Sequence, residues 1–285
     1  VDFVKEFINF TSNRTSGACG LPNLLPYMWY YWKKDIESEH YPRCHSPEKF
    51  AKSEIQRLIY GMNQPYTRDG IQSAFVNTSV FDREYFDALF GGMEFPDGRF
   101  VIDNKEEIIQ FEKWFLEEMS SIKDRGRMFT FPVNTISLLR KDGKFIDEPF
   151  ARWCSEHNRK WNDSNFFCDA DVTSLSNCCR LKSNIKDLGY FNSIGGTALK
   201  VGSVKVSTIN LTRIALESEG NESKFIRILK DRLDINLKLL HVVRHIIKRN
   251  VEKKLLPNFV DGIIDFEHLY NTTGINGIYE TMKFF

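Results

Sequence analysis

Hydrophobic residues recur along this chain at two spacings, and the spacings alternate. Phe3, Val4, Phe7 and Ile8 share one stripe of a helix over residues 1–10, and Phe50, Ile55, Leu58 and Ile59 do the same over 46–62. The turn-forming residues of 63–70 end that second helix. Residues 71–81 then concentrate β-branched and aromatic side chains, which predicts a strand, and Gly91-Gly92 and Pro96-Asp97-Gly98 mark loops. Ile108, Ile109, Phe111, Trp114, Phe115 and Met119 predict a helix over 104–122. A second strand spans 129–139 and is closed by Lys141-Asp142-Gly143, and a helix follows over 150–161. Residues 204–211 read as a strand that passes into a helix at 212–217. Phe225, Ile226, Leu229, Leu233, Leu237, Leu240 and Val243 predict a long helix over 223–254. Strands alternating with helices imply an α/β fold, a mostly parallel sheet with crossover helices, open or closed into a barrel. No internal repeat or Pro/Ser-rich linker divides the chain, so 1–285 reads as one unit.

Composition narrows this only slightly. The 285 residues carry 39 basic and 38 acidic side chains, a net charge of +1, with no local basic patch to attract a polyphosphate backbone, so nucleic acid is not expected as a partner. The most apolar stretch, 21–32, contains two prolines and is followed by Lys33-Lys34-Asp35. It is too short for a membrane span and lacks the form of a signal peptide, so a cytoplasmic protein is expected. Residue 1 is Val and already lies within a helical pattern, and 285 falls within an amphipathic pattern that begins near Gly277. The reading is an excerpt of a longer polypeptide, truncated at both ends.

Candidate chemistry lies in three places. None of Cys19, Cys44, Cys154, Cys168, Cys178 and Cys179 falls in the C-x-x-C pairs of a metal site, so no metal is expected here. The first four read as reduced, partly buried thiols. Cys178-Cys179 sits in a polar run beside Arg180, whose charge favours thiolate, while a disulfide between neighbours is strained. On these residues alone, thiol chemistry and a coincidence of burial both stay open. The glycine runs Asn192–Thr197 and Thr272–Gly277 suit an anion, the second because it opens a helix, and a tight turn with an N-cap is the plainer account of either. His241 and His245 have the i, i+4 spacing of zinc ligands, but beside Arg244, Lys248 and Arg249 they read as a solvated basic face. The Asn-x-Ser/Thr triplets, among them Asn77 and Asn210, read as coincidence.

The run Ser174-Leu-Ser-Asn-Cys-Cys-Arg-Leu-Lys182, with Gly195-Gly196, Asn210-Leu-Thr-Arg-Ile-Ala215 and Thr273-Gly-Ile-Asn-Gly-Ile-Tyr-Glu280, resembles the anaerobic, glycyl-radical (class III) ribonucleoside-triphosphate reductases. Gln72-Ser-Ala-Phe-Val-Asn77 and Phe129-Thr-Phe-Pro-Val133 resemble strand motifs of that family in the same order. The resemblance implies a ten-stranded α/β barrel of two five-stranded halves, present here as a partial chain, with a finger loop that carries a cysteine up the centre. It implies reduction of ribonucleoside triphosphates to 2′-deoxyribonucleoside triphosphates, with Cys179 as the thiyl radical and Cys178 as a participant in thiol chemistry. It also implies substrate-binding positions at Gln72, Phe75, Asn77, Ser176, Asn177 and Asn210, with Thr273, Gly274, Asn276 and Gly277, and more weakly Gly195, Gly196 and Thr197, on the phosphates.

In the family the radical starts on a C-terminal glycine activated by an iron–sulfur, S-adenosylmethionine-dependent activase. That loop, the C-terminal zinc site and the N-terminal domain that senses dNTP and ATP effectors have no match in this segment, which by itself should be inactive. A homodimer is expected. Formate-dependent members resemble one another in a Met-Gly-Cys-Arg loop, whereas this chain has Asn177-Cys178-Cys179-Arg180, which favours a redoxin over formate as reductant. The competing readings are a pyruvate formate-lyase type of glycyl-radical enzyme and a non-catalytic barrel subunit of a split reductase.

Overall fold

The structure, a computed structural model, describes residues 1–13, 19–42, 45–67, 70–172, 174–176, 182–184, 202–262 and 264–285. The chain divides into two compact units, Val1–Leu199 and Lys200–Phe285, each taken here by itself.

The first unit runs α1 (Asp2–Ser12), β1 (Cys19–Leu21), α2 (Leu24–Glu37), α3 (Pro47–Met62), β2 (Val76–Phe81), α4 (Arg83–Phe90), α5 (Lys105–Asp124), β3 (Val133–Lys141), β4 (Lys144–Phe145), α6 (Glu148–Trp161), β5 (Ser164–Asp169), β6 (Ser174–Ser176) and β7 (Lys182–Asn184). β1, β2, β3 and β5 are all parallel and neighbours in chain order, while β4 folds back antiparallel on β3. Helices connect each parallel pair. Among these parallel strands the order never reverses.

Local chemistry explains most of the boundaries. Ser46 caps α3 by accepting from Lys49 N at 3.2 Å, and the predicted stripe of Phe50, Ile55, Leu58 and Ile59 is buried. The stripe of α5 is buried too, except that Trp114 is only half-buried, edge-on to Trp32 at 5.7 Å. The two predicted strands both start later than the pattern suggests. The Asn63 side chain accepts from Thr130 N (2.9 Å) and Phe131 N (3.0 Å) and donates to Phe131 O. Backbone groups of 130–131 are thus satisfied by a side chain, and the β3 ladder opens at Val133. Likewise Thr67 and Gln72 form a local bridge and Ser73 Oγ donates to Asn63 O at 2.9 Å, so β2 opens at Val76. The apolar stretch excluded as a membrane span contributes α2, because Pro26 is its third residue, where a missing N–H costs no helical bond. No helix among the described residues is long and apolar enough to cross a membrane.

The second unit runs β8 (Gly202–Asn210), α7 (Leu211–Ser218), α8 (Glu222–Glu252), α9 (Pro257–Val260), β9 (Leu269–Asn276) and α10 (Ile278–Phe284). β8 and β9 are parallel, with a bulge between Ser203 and Lys205. α8 buries Asn236 and Leu240, with Phe225, Leu229, Leu233 and Val243 half-buried on the same face. Leu237 and Ile226, which the spacing put on that stripe, are instead 58% and 47% exposed within the structure. The inward line follows steps of three and four, and Asn236, not Leu237, takes its place on it because it has a polar partner on β9. Arg244 is also turned inward rather than joining a solvated basic face. Its guanidinium donates to Leu269 O and Phe266 O and lies 4.5 Å from the Phe266 ring centroid.

Candidate active site

The two strands of the second unit end in register, Asn210 opposite Asn276, and each runs directly into a helix. Asn210 caps α7, its Oδ1 accepting from Arg213 N at 3.0 Å. At the end of β9 the chain turns at Gly277, whose φ of +75° is the left-handed conformation that glycine tolerates best. The Gly277 carbonyl accepts from Thr281 N (3.0 Å), Thr281 Oγ1 (2.7 Å) and Thr212 Oγ1 (3.3 Å). A Cβ at Gly277 would lie 2.1 Å from Thr212 Oγ1, so the starts of α7 and α10 pack as closely as glycine permits. Gly274 is equally tight, since its Cβ would lie 2.7 Å from Thr208 Oγ1.

Alternation along β9 separates the predicted residues. Gly274 and Asn276 share one face with Thr208 and Asn210, their partners in register. Thr273 is on the other face, toward α8, where its Oγ1 accepts from the buried Asn236 Nδ2 at 2.8 Å. The structure therefore brings Asn210, Gly274, Asn276 and Gly277 together and turns the Thr273 side chain away from them.

In the first unit the central strands are more polar than is usual for buried parallel strands. Asn77 is 3% exposed, and its amide donates to Val133 O (2.9 Å) and Thr135 Oγ1 (3.3 Å). Thr78, Asn134 and Ser164 form a buried ladder across β2, β3 and β5, with steps of 3.1 Å each. Ser137 Oγ is buried without a hydrogen-bond partner among the described residues. Gln72 and Phe75, in contrast, precede β2, and the Phe75 ring lies 5.0 Å from that of Phe131.

β6 and β7 form an antiparallel stem in which Ser174 pairs with Asn184, Leu175 with Ser183 and Ser176 with Lys182. β6 lies near β3. The five residues between the strands, 177–181, include Asn177, Cys178, Cys179 and Arg180 and lie outside the described residues, as do Cys44, Gly195, Gly196, Thr197 and the side chain of Ser176. The other cysteines are poor nucleophiles. Burial pushes the Cys19 thiol up to about 11 and the Cys154 thiol higher still, with the Glu112 carboxyl adding to the latter. Cys168, expected to be partly buried, is exposed, and desolvation still raises it.

Two carboxyls that sequence reasoning missed lie at the end of β2. Asp82 caps α4 through Tyr85 N (2.9 Å), also accepts from Leu139 N, and is pushed up by burial. Glu112 is fully buried. Its Oε2 accepts a long bond from Phe81 N (3.5 Å), its Oε1 has no partner among the described residues, and burial holds its carboxyl well above the usual range, with Asp82 adding to the effect. A lone Glu within an amphipathic stripe was the only signal that could have found it. No group of three metal-ligating side chains occurs among the described residues, and the exposed rings of His241 and His245 touch edge-on at 4.9 Å.

The family model for anaerobic ribonucleoside-triphosphate reductase matches residues 1–285. Among solved structures, the chain is similar to the anaerobic ribonucleotide reductase from Thermotoga maritima in complex with dATP and CTP, at 40% identity and a TM-score of 0.77, over 99% of this chain and 45% of that one. It is similar to the same enzyme with dATP bound in the specificity site, at 39% identity and a TM-score of 0.76, over 99% of this chain and 46% of that one. With citrate in the active site the values are 35% and 0.73, over 99% of this chain and 49% of that one. The chain thus spans less than half the length of the structures it matches. No curated protein sequence matches it.

Proposed function

We propose, from the premise that this chain belongs to the anaerobic ribonucleoside-triphosphate reductase family, that it forms the central catalytic barrel segment of an enzyme reducing ribonucleoside triphosphates to 2′-deoxyribonucleoside triphosphates. The observation that carries the reading is the register of the β6–β7 stem. With Ser176 opposite Lys182, Cys179 is the middle residue of the five that join the strands. A hairpin centred on one cysteine and rooted beside a parallel sheet is the geometry that a sulfur held inside a barrel requires.

The glycyl radical of the family would take the hydrogen atom of the Cys179 thiol, so that S–H breaks, a C–H bond forms on the glycine and the unpaired electron rests on sulfur. The remaining chemistry belongs to the substrate and this chain. Cys179 Sγ takes the ribose 3′ hydrogen, breaking C–H and forming S–H. The 2′-hydroxyl then gains a proton and leaves as water. Two electrons and a second proton enter, and Cys179 returns the hydrogen to C3′, so each turnover consumes two electrons and two protons and releases one water. A closed, dry site suits such an intermediate, because water and stray donors are kept away. The electron pair is assigned to a redoxin through thiols, with Cys178 beside the radical sulfur as a relay or bystander. The sequence Asn177-Cys178 where formate users carry Met-Gly favours this route.

The triphosphate is assigned to the turn at Gly274, Asn276 and Gly277 with Asn210, where the two strands of this unit end in register and helices begin. Thr273 contributes there through its backbone only. Gln72, Phe75, Asn77, Ser176 and Asn177 remain assigned to the nucleoside end, with Asn77 acting by shaping the β2–β3 pair to which its amide is committed. Gly195, Gly196 and Thr197 remain the weaker phosphate candidate. The ten-stranded barrel, the homodimer, the cytoplasmic location, the radical-SAM activase, the dNTP and ATP effectors and a zinc site elsewhere in the full-length enzyme belong to the same reading.

The test is Cys179→Ala in the full-length, activated enzyme. Glycyl-radical formation should survive while nucleotide reduction falls to background, and turnover in that variant would remove the assignment.

A further inference from the structure

Tyr85 carries a polar group that neither the phosphate site nor the sulfur chemistry uses. Its side chain is fully buried on α4, its backbone N–H is held by Asp82 Oδ1 at 2.9 Å, and its ring centroid lies 6.2 Å from that of Phe81. The ring is therefore enclosed in the core of this unit. Its hydroxyl donates to the backbone carbonyl of Asp171 at 3.5 Å. Asp171 lies between the end of β5 at Asp169 and the start of β6 at Ser174, at the root of the hairpin. The next residue, Val172, packs against the core.

The tie continues into the sheet. Asp82, which holds Tyr85, also accepts from Leu139 N of β3, and its own N–H donates to Ser137 O at 3.0 Å. Two side chains thus connect the ends of β2 and β3 to the segment that enters β6. At 3.5 Å the Tyr85 bond is weak, and its worth lies in being a polar contact between α4 and the chain that enters β6. A small shift of that chain matters because hydrogen transfer falls steeply when the reacting atoms leave their near-attack separation.

We propose that Tyr85 is a positioning residue for the cysteine hairpin, holding its root through the Asp171 carbonyl. The proposal rests on the reading of Cys179 given above. Tyr85→Phe removes one oxygen and leaves the ring, so the test is made with that variant in the full-length, activated enzyme. The expected result is a fall in kcat of about 5–50-fold, a KM within about twofold of the parent and an unchanged glycyl-radical yield. Hydrogen exchange should quicken at 172–176 and 182–184 and stay at the parental rate in β2 and α5. A parental kcat with parental exchange at the hairpin would overturn the proposal. So would quickened exchange throughout the unit, which marks a merely structural residue. Cys179→Ala run alongside separates the two claims. Turnover in Cys179→Ala removes the underlying reading, whereas an inactive Cys179→Ala beside a parental Tyr85→Phe removes only the role of Tyr85.

Discussion

Glu112 shows how far one residue can depart from its sequence context. It sits in an apolar stripe of α5, fully buried, with one oxygen unpartnered among the described residues, and burial raises its carboxyl well above the usual range. In the unfolded chain it ionises near the ordinary glutamate value of about 4.5. Below that pH both states are protonated and nothing is lost. Above it the unfolded state releases the proton while the folded state keeps it, so stability falls as pH rises until the folded group also ionises. Glu112→Gln does not titrate. Compared with the parent, its stability should improve on going from pH 5 to pH 8. Urea unfolding at the two pH values measures this, and a parallel pH dependence in parent and variant would show that Glu112 ionises normally. Asp82, pushed up by burial in the same region, has the same sign and remains in both proteins.

At the scale of elements, the decisive event is the meeting of β9, α10 and α7 at Gly277. Alanine there faces two costs, the left-handed φ of +75° and a Cβ 2.1 Å from Thr212 Oγ1. The first is about 1–2 kcal/mol, and the second is relieved only if Thr212 gives way. Gly277→Ala should therefore move the turn and raise the substrate KM by about tenfold or more, with kcat within about threefold, because phosphate contacts are made alike in ground and transition states. Adding Thr212→Ala removes the obstructing oxygen and should recover part of the loss. Steady-state kinetics of the single and double variants decide it, and a fall confined to kcat would move the phosphates elsewhere. Asn63 works at the same scale in the first unit, where its side chain replaces a strand partner for 130–131 and delays the start of β3.

For the whole molecule the open assignment is the electron source. In the proposed reaction two electrons enter per turnover, and a disulfide between Cys178 and Cys179 would be strained and easily reduced. A more distant cysteine is the better partner for the radical sulfur, and Cys178 is then a relay or a bystander, of which the relay is the role tested. The activated full-length enzyme should then turn over repeatedly with reduced redoxin and no formate, with Cys178→Ser slower. Multiple turnovers on formate alone, with Cys178→Ser at the parental redoxin rate, would end both assignments.

The sequence by itself determined the α/β class, the long helix at α8, the buried stripes of α3 and α5, and the family through the cysteine run and the strand-end glycines. These signals are local: periodicity, caps and short motifs need no distant partner. It did not reveal α2, whose first-turn proline looks like a breaker until its place in the helix is known. Nor did it reveal β5, whose Ser-Asn-Phe-Phe-Cys-Asp run becomes a strand by pairing along β3. Only the tertiary structure decided that Thr273 faces α8 while Gly274 and Asn276 face the other way, because a strand's register sets which side each residue takes. It also decided that Asn236 rather than Leu237 turns inward, and that Tyr85, Asp82 and Glu112 converge near the end of β2. Such meetings join residues tens of positions apart, and no pattern along the chain encodes them.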